Sequence, residues 1–448
     1  MKQVWRKYRE NYAAIIKLGI PILIGQLGMI VVAFADNIMV GRYSTEALAS
    51  ASFVNNVFNV ATFACIGFTY GLTPLIGALF SQKRFDTIGA MIRNGVLVNI
   101  IFALLVSAIM GVIWLNLDRL GQPVELMPLI RPYYLIVLCG MVPVALFNVF
   151  AQWLFAINRT ALPMWIILAS NLCNIIGNYM LIYGHWGSPE LGLIGAGYST
   201  LFARVLCPVA VIVIFFCAKR FRLYRDGFIS SSLSSLTIGQ INRTSWPVAL
   251  QMTFESGSFT IAAVMAGWLG AISLAAFQII VITGTLGFCI YYSMGSAVSV
   301  LVSNAAGLGD RTGMRRTAFA GYHIMLALAT VSSLIFIFFE EAMIHAFTED
   351  PEVIAATMVL IVPLVLYQLG DATQINFANA LRGTSHVMPM IWIAFVCYII
   401  GGIPATYLLA FTAGLGTYGI ILSFSVSLFM AAALFLYFFM KSTREKAA

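Results

Sequence analysis

Long apolar runs alternate with short polar breaks along almost the whole chain. Runs long enough to cross a bilayer, about 20 residues each, fall near 15–40, 50–80, 94–117, 130–155, 164–184 and 193–217. A second set falls near 246–267, 275–305, 318–339, 354–380, 389–411 and 419–440. In hydrocarbon the backbone must satisfy its own hydrogen bonds, so each run predicts a helix. The breaks are short and leave little room for a soluble domain. The pattern predicts an all-α integral membrane protein with twelve transmembrane helices.

Composition strengthens this reading. Of 448 residues, 61% are hydrophobic and 9% charged, against roughly a quarter charged in soluble proteins. A soluble chain of this length would need far more polar surface. Met1–Lys17 is basic, and the apolar stretch after it outruns a signal-peptide core, so the first run is expected to stay as a helix. The seven cysteines (Cys65, Cys139, Cys173, Cys207, Cys217, Cys289, Cys397) lie in or beside apolar runs without ligand spacing. They are expected to be small buried packing residues, with neither disulfides nor a metal site.

The formal charge of +8 is explained by topology. With the N-terminus in the cytoplasm, every Lys and Arg except Arg42, Arg119, Arg131 and Arg204 falls on that side, the bias expected of inner loops. Lys219, Arg220, Arg222 and Arg225 form the densest group, in the linker between the halves. Both termini are therefore expected in the cytoplasm, and the basic charge points to membrane lipid rather than nucleic acid. Trp5, Trp114, Trp153, Trp165, Trp186, Trp246, Trp268 and Trp392 all fall near span ends, where indoles anchor.

The two halves repeat at an offset of half the chain. Pro21 aligns with Pro247, and Gly41 through Ala49 with Gly267 through Ala275. Gly71, Asp86 and Gly89 align with Gly295, Asp310 and Gly313. Cys173-Asn-Ile-Ile-Gly-Asn178 aligns with Cys397-Tyr-Ile-Ile-Gly-Gly402. Six spans per half make this a parallel repeat about an axis along the membrane normal. The expected division is an N-terminal six-helix lobe over 1–218, a basic cytoplasmic linker over 219–243 and a C-terminal lobe over 244–448. Such repeats usually hold substrate between lobes that expose it alternately to each side.

Three of the seventeen acidic residues lie inside spans: Asp36, Glu255 and Asp371. Each costs at least about 2.5 kcal/mol on insertion scales, so each needs a compensating role. Arg204, the one basic residue deep in a span, is a candidate counter-charge for one of them. The repeat maps Asp36 onto Ala262 and Glu255 onto Met29, so the scaffold is duplicated but these charges are not. Tyr367 lies four residues before Asp371, on the same helix face, where an aromatic ring beside carboxylates suits a cation. Asn174 and Asn178 share a face of the fifth span. They either join Asp36 around a cation or proton, or hydrogen-bond between helices. Exchange of Na⁺ or H⁺ for an organic cation at a shared carboxylate would be antiport. The sequence carries no HExxH, Walker A or GxSxG pattern, and its four histidines are scattered. No enzyme activity is expected, a membrane-embedded enzyme being the remote alternative.

These features resemble the multidrug and toxic compound extrusion (MATE) family, its NorM-type branch in particular. The resemblance runs over the whole chain and is most specific in the glutamate of span 7 (Glu255) and the aspartate of span 10 (Asp371). It implies two pseudo-symmetric six-helix bundles forming a V-shaped, monomeric transporter of a bacterial inner membrane. It implies export of cationic amphipathic drugs by alternating access, in exchange for Na⁺ or H⁺, with no other cofactor. Glu255, Asp371 and Tyr367 would line one cation site, and Asp36, Asn174 and Asn178 the corresponding cluster of the other lobe. Na⁺ could sit at either. Some relatives carry an acid where Asn178 stands, which would leave this cluster with one carboxylate. The nearest alternative is a flippase for lipid-linked oligosaccharide, which would be expected to show a strongly basic cavity.

Overall fold

Apolar helices broken by proline at regular points make up the structure, a computed structural model that describes residues 2–121 and 123–444. The side chains of Lys2, Trp5, Arg6 and Lys7 lie outside the described residues. Every regular element among the described residues is helical. The first half contains α1 (Lys2–Tyr43), α2 (Thr45–Ser81), α3 (Phe85–Leu115), α4 (Val124–Ala156), α5 (Ala161–Tyr183) and α6 (Leu193–Cys217). A linker helix, Arg222–Ser230, follows. The second half contains α7 (Ser235–Trp268), α8 (Ala271–Gly307), α9 (Arg311–Phe338), α10 (Pro351–Met358 with Ile361–Gly383), α11 (Met388–Thr412) and α12 (Gly416–Ser442).

Ten of these helices are long and apolar enough to span a membrane, and α10 qualifies as a pair bent by 49°. The remaining one, α7, has the length (34 residues) but not the apolarity. Gln251, Thr253, Glu255, Ser256, Ser258 and Thr260 crowd its middle. The helix that least resembles a span carries Glu255, one of the expected site residues.

Three spans break by one device. In α2 the helix stops at Tyr70 and restarts after Gly71, with Pro74 beyond. In α4 it stops at Cys139 and restarts after Gly140, with Pro143 beyond. In α10 the break precedes Ile361, with Pro363 beyond. Each proline lacks the N–H that would bond the carbonyl four residues back, and that carbonyl belongs to Tyr70, Cys139 or Val359. In α11, where Pro404 would interrupt the ladder, the chain takes wider π-helical turns over Phe395–Gly402 and Leu408–Thr412, a form often found at functional sites.

The chain forms two compact units, Ile24–Ala249 and Met1–Leu23 with Leu250–Ala448. The boundaries fall inside α1 and α7, just past the repeat prolines Pro21 and Pro247. The start of α1 is held in its unit by α9: Asn11 Nδ2 donates to Thr317 Oγ1 at 2.9 Å, and the Tyr12 hydroxyl meets His323 Nδ1 at 2.9 Å. In the other unit, the start of α7 packs on α2. A Cβ on Gly71 would stand 2.5 Å from Ser245 Cα, and Trp246 sets its ring edge against Phe68 and Phe102. Division by the repeat and division by contacts thus differ by the first part of each half's leading helix.

Two expectations need correction. Cys139 and Cys217 are exposed, so they pack against no core; all seven cysteines are free. Trp153 sits near a span end but is fully buried, with Phe215, Phe221 and Tyr224 around it. It anchors the linker to α4 instead of meeting an interface. Trp165, Trp186, Trp268 and Trp392 are exposed near span ends.

Candidate cation sites

The unit Ile24–Ala249 gathers one polar cluster around Asp36, half-buried on α1. The Asn178 amide donates to Asp36 Oδ1. Turning the Asn174 amide brings its nitrogen 2.8 Å from the same oxygen, while its own oxygen accepts from Thr200 Oγ1 and the Thr200 N–H at 3.2 and 3.3 Å. Asn178 Oδ1 is buried and has no partner. The asparagines meet α1 because α5 and α6 pack closely. Ser199 Oγ donates to the Asn174 carbonyl at 2.7 Å, and a Cβ on Gly177 would sit 2.5 Å from that hydroxyl.

Arg204 lies near enough to Asp36 for their charges to interact, without an ion pair within 4 Å. Gly140, at the break in α4, makes room for it: a Cβ there would stand 2.9 Å from Arg204 Cδ. The Asp36 carboxylate takes amide N–H groups on Oδ1, with a guanidinium set back from it, and Asn178 Oδ1 is left over as an unpartnered oxygen. Oxygen donors of this kind suit a hard monovalent cation or a proton.

The second cluster lies within the other unit. Glu255 is half-buried on α7 and accepts from Gln251 Nε2 at 2.6 Å, one turn away. Asp371 on α10 is 2% exposed, and its Oδ2 has no hydrogen-bond partner. The two carboxylates interact electrostatically, and Tyr367 and Tyr398 feel both charges. Tyr367 is wedged between Gly284 of α8 and the rings of Phe259 and Phe424, whose centroids lie 6.2 and 6.4 Å away. Tyr398 comes from the π-helical stretch of α11, and its hydroxyl accepts from Gln374 Nε2 at 2.9 Å. Two neighbouring acids without a fixed base between them are a strong attraction for one cation or one proton.

Sequence reasoning missed the amides of this cluster. Gln368 is fully buried with both amide atoms unpaired, and Gln374 Oε1 is also unpaired. They flank Asp371 at three-residue spacing, so the helix period alone would have put them beside it. Gly287 makes room for Gln368, since a Cβ there would come 2.9 Å from its Cδ. Several orphaned polar atoms in so small a volume mark room for water or an ion. A second deep base was missed as well. Arg382, 4% exposed, donates through Nε to Ser299 Oγ at 3.3 Å and through Nη2 to Asn379. The repeat mates of the acids are apolar in kind: Ala262 is buried and Met29 exposed.

Each expected residue therefore falls into one of two clusters. Asp36, Asn174, Asn178 and Arg204 belong to one, and Glu255, Asp371 and Tyr367 to the other.

The MatE family model matches this chain twice, over residues 21–180 and 247–408. The two matches open on Pro21 and Pro247, the residues that the internal repeat aligns. A probable multidrug resistance protein NorM of Bradyrhizobium diazoefficiens is 27% identical over 431 residues, covering 95% of this chain and 92% of that protein. Another, from Photorhabdus laumondii, is 26% identical over 416 residues, covering 91% and 89%. Among solved structures, the eukaryotic MATE transporter AtDTX14 superposes with a TM-score of 0.88 at 18% identity, covering 98% of each chain. A mutant of the Vibrio cholerae MATE transporter VcmN gives 0.88 at 15%, covering 99% of each. The fold is that of the twelve-helix, two-lobe MATE transporters, and with both repeats matched the chain belongs to the MatE family.

Proposed function

We propose that this chain exports cationic, amphipathic drugs across a bacterial inner membrane in exchange for Na⁺ or H⁺. The observation that carries the reading is the Asp371 cluster, where Asp371 Oδ2, both amide atoms of Gln368 and Gln374 Oε1 are buried without partners beside a second acid. Such a site is costly when empty and charged, and is relieved by one bound cation or proton. An arriving organic cation and the coupling ion then compete for the same charge, which is the thermodynamic requirement for exchange. The names of the NorM relatives support drugs as the cargo. The basic bias of one set of loops supports cytoplasmic termini, and a site complete within one chain supports a monomer.

The test is efflux of a fluorescent organic cation from liposomes under an imposed Na⁺ gradient and then a pH gradient. Export should follow one gradient or both and fall by about 10-fold or more in Glu255→Gln, the loss expected for one charged ligand. Arg204→Met should keep export above that level. No export under either gradient would overturn the antiport reading for these cations. Transport of a pyrophosphate-linked lipid that stops with Arg204→Met but not with Glu255→Gln would favour the flippase.

The Asp36 cluster gives an independent prediction. Asp36→Asn removes the only carboxylate that Asn174 and Asn178 face and leaves Arg204 unbalanced. Drug export should fall several-fold, while ion binding to the Glu255 variant and to the parent should still differ. Isothermal titration of Na⁺ on the two backgrounds distinguishes the clusters. Identical titrations of the parent and Asp36→Asn would assign ion binding to the other cluster alone.

A further inference from the structure

The linker between the repeats is built more firmly than a connection requires. Phe221, just before its helix Arg222–Ser230, and Tyr224 and Gly227 within it are buried against the ends of α3 and α4. Gly89 and Gly227 let the backbones touch: a Cβ on Gly89 would stand 2.7 Å from the Gly227 carbonyl carbon, and one on Gly227 2.6 Å from Asp86 Cα. Arg93 closes the C-terminal end, donating to the carbonyls of Phe228 and Ile229 at 3.4 and 3.3 Å and to Ser231. Asn94 Oδ1 accepts from the Ser234 N–H at 3.0 Å.

Apolar side chains stand exposed along this segment and into the start of α7. Leu223 is 54% exposed, Ile229 61%, Leu233 53% and Leu236 82%. Just before them in the chain stand Lys219, Arg220 and Arg222, all exposed. The elements beneath add Lys83 and Arg84 at the α2–α3 turn, and Arg159 beyond α4, whose charge reaches Tyr224. Opposing acids are Asp86 and Asp226. Asp226 pairs with Arg222 at 3.4 Å and Arg225 at 3.9 Å. Lys83, Arg84, Arg159, Lys219 and Arg220 make no ion pair among the described residues. Apolar side chains exposed in a rigid frame beside unpaired bases, next to the end of a spanning helix, match a membrane interface. There the leucines meet acyl chains and the bases meet anionic headgroups.

We propose that the linker helix and its flanks form a platform that binds anionic phospholipid headgroups. Charge complementarity selects the occupant: a zwitterionic headgroup offers these bases no net attraction, and a soluble phosphate leaves the leucines in water. The inference concerns the linker and stands apart from the cation clusters.

The experiment uses the full chain in neutral detergent. Its thermal midpoint is followed while phosphatidylglycerol, phosphatidylcholine or glycerol phosphate is titrated. The parent should be stabilised by phosphatidylglycerol at lower concentration than by phosphatidylcholine, with the difference shrinking as salt rises. In a variant carrying Lys219→Gln, Arg220→Gln and Arg84→Gln, the half-saturating phosphatidylglycerol concentration should rise about fivefold per base removed. Its midpoint in phosphatidylcholine should match the parent. Leu223→Ser with Ile229→Ser should weaken the response while leaving its salt dependence in place. Equal responses to the two lipids, an unchanged triple variant, or full stabilisation by glycerol phosphate would each overturn the proposal.

Discussion

Asp371→Asn is expected to lower cation-coupled export by about 10–100-fold while leaving the protein as stable as its parent or slightly more so. Two opposing terms decide this. In the empty site the buried Oδ2 has no partner and Glu255 adds repulsion, so removing the charge relieves a cost. In the occupied site the same charge binds the ion. A hydrogen bond or contact to a charged ligand is worth about 1.5–3 kcal/mol, a factor of about 10–100 in affinity. Amide and carboxylate have nearly the same shape, so the packing of α10 should hold. Liposome flux and a thermal melt on the same preparation separate the two effects. Parent-level export with Asp371→Asn would remove this cluster from the coupling mechanism. Lost export with a midpoint lowered by many degrees would mean that Asp371 is structural.

Gly89→Val should be the most damaging single change outside the cation clusters. The added Cβ would overlap the Tyr224 carbonyl and come 2.5 Å from the Phe228 nitrogen. These are backbone atoms, held against α3 by Arg93 one turn further along that helix, so the collision cannot be relieved by a rotamer change. The linker helix must lift off α3, uncovering Phe221 and Tyr224. Overpacking of this kind costs about 3 kcal/mol. The midpoint should fall by several degrees, and trypsin should cut faster at Lys219 and Arg220. An unchanged midpoint and cleavage rate would show that the linker is not seated as described. The same change should weaken the response to phosphatidylglycerol, because the platform depends on that seat.

The amino-acid sequence by itself determined the number of spans, their repeat and the location of the acids inside them. A bilayer imposes this legibility: any segment that crosses it must be apolar over about 20 residues, and any acid within it stands out against that background. Asp36, Glu255 and Asp371 were visible for this reason. In the structure, the breaks in α2, α4 and α10 each lie three residues before a proline.

Tertiary structure decided the rest. Gln368 and Gln374 are costly only because they are buried and unpaired, and burial depends on Gly287 and the neighbouring helices rather than on local pattern. Trp153 and the two exposed cysteines went against expectation because position along a span says nothing about which way a side chain faces. The start of α1 belongs with α9 because Asn11 and Tyr12 find partners there. The sequence repeat records how the chain was duplicated; where each leading helix packs depends on contacts between residues about 300 positions apart.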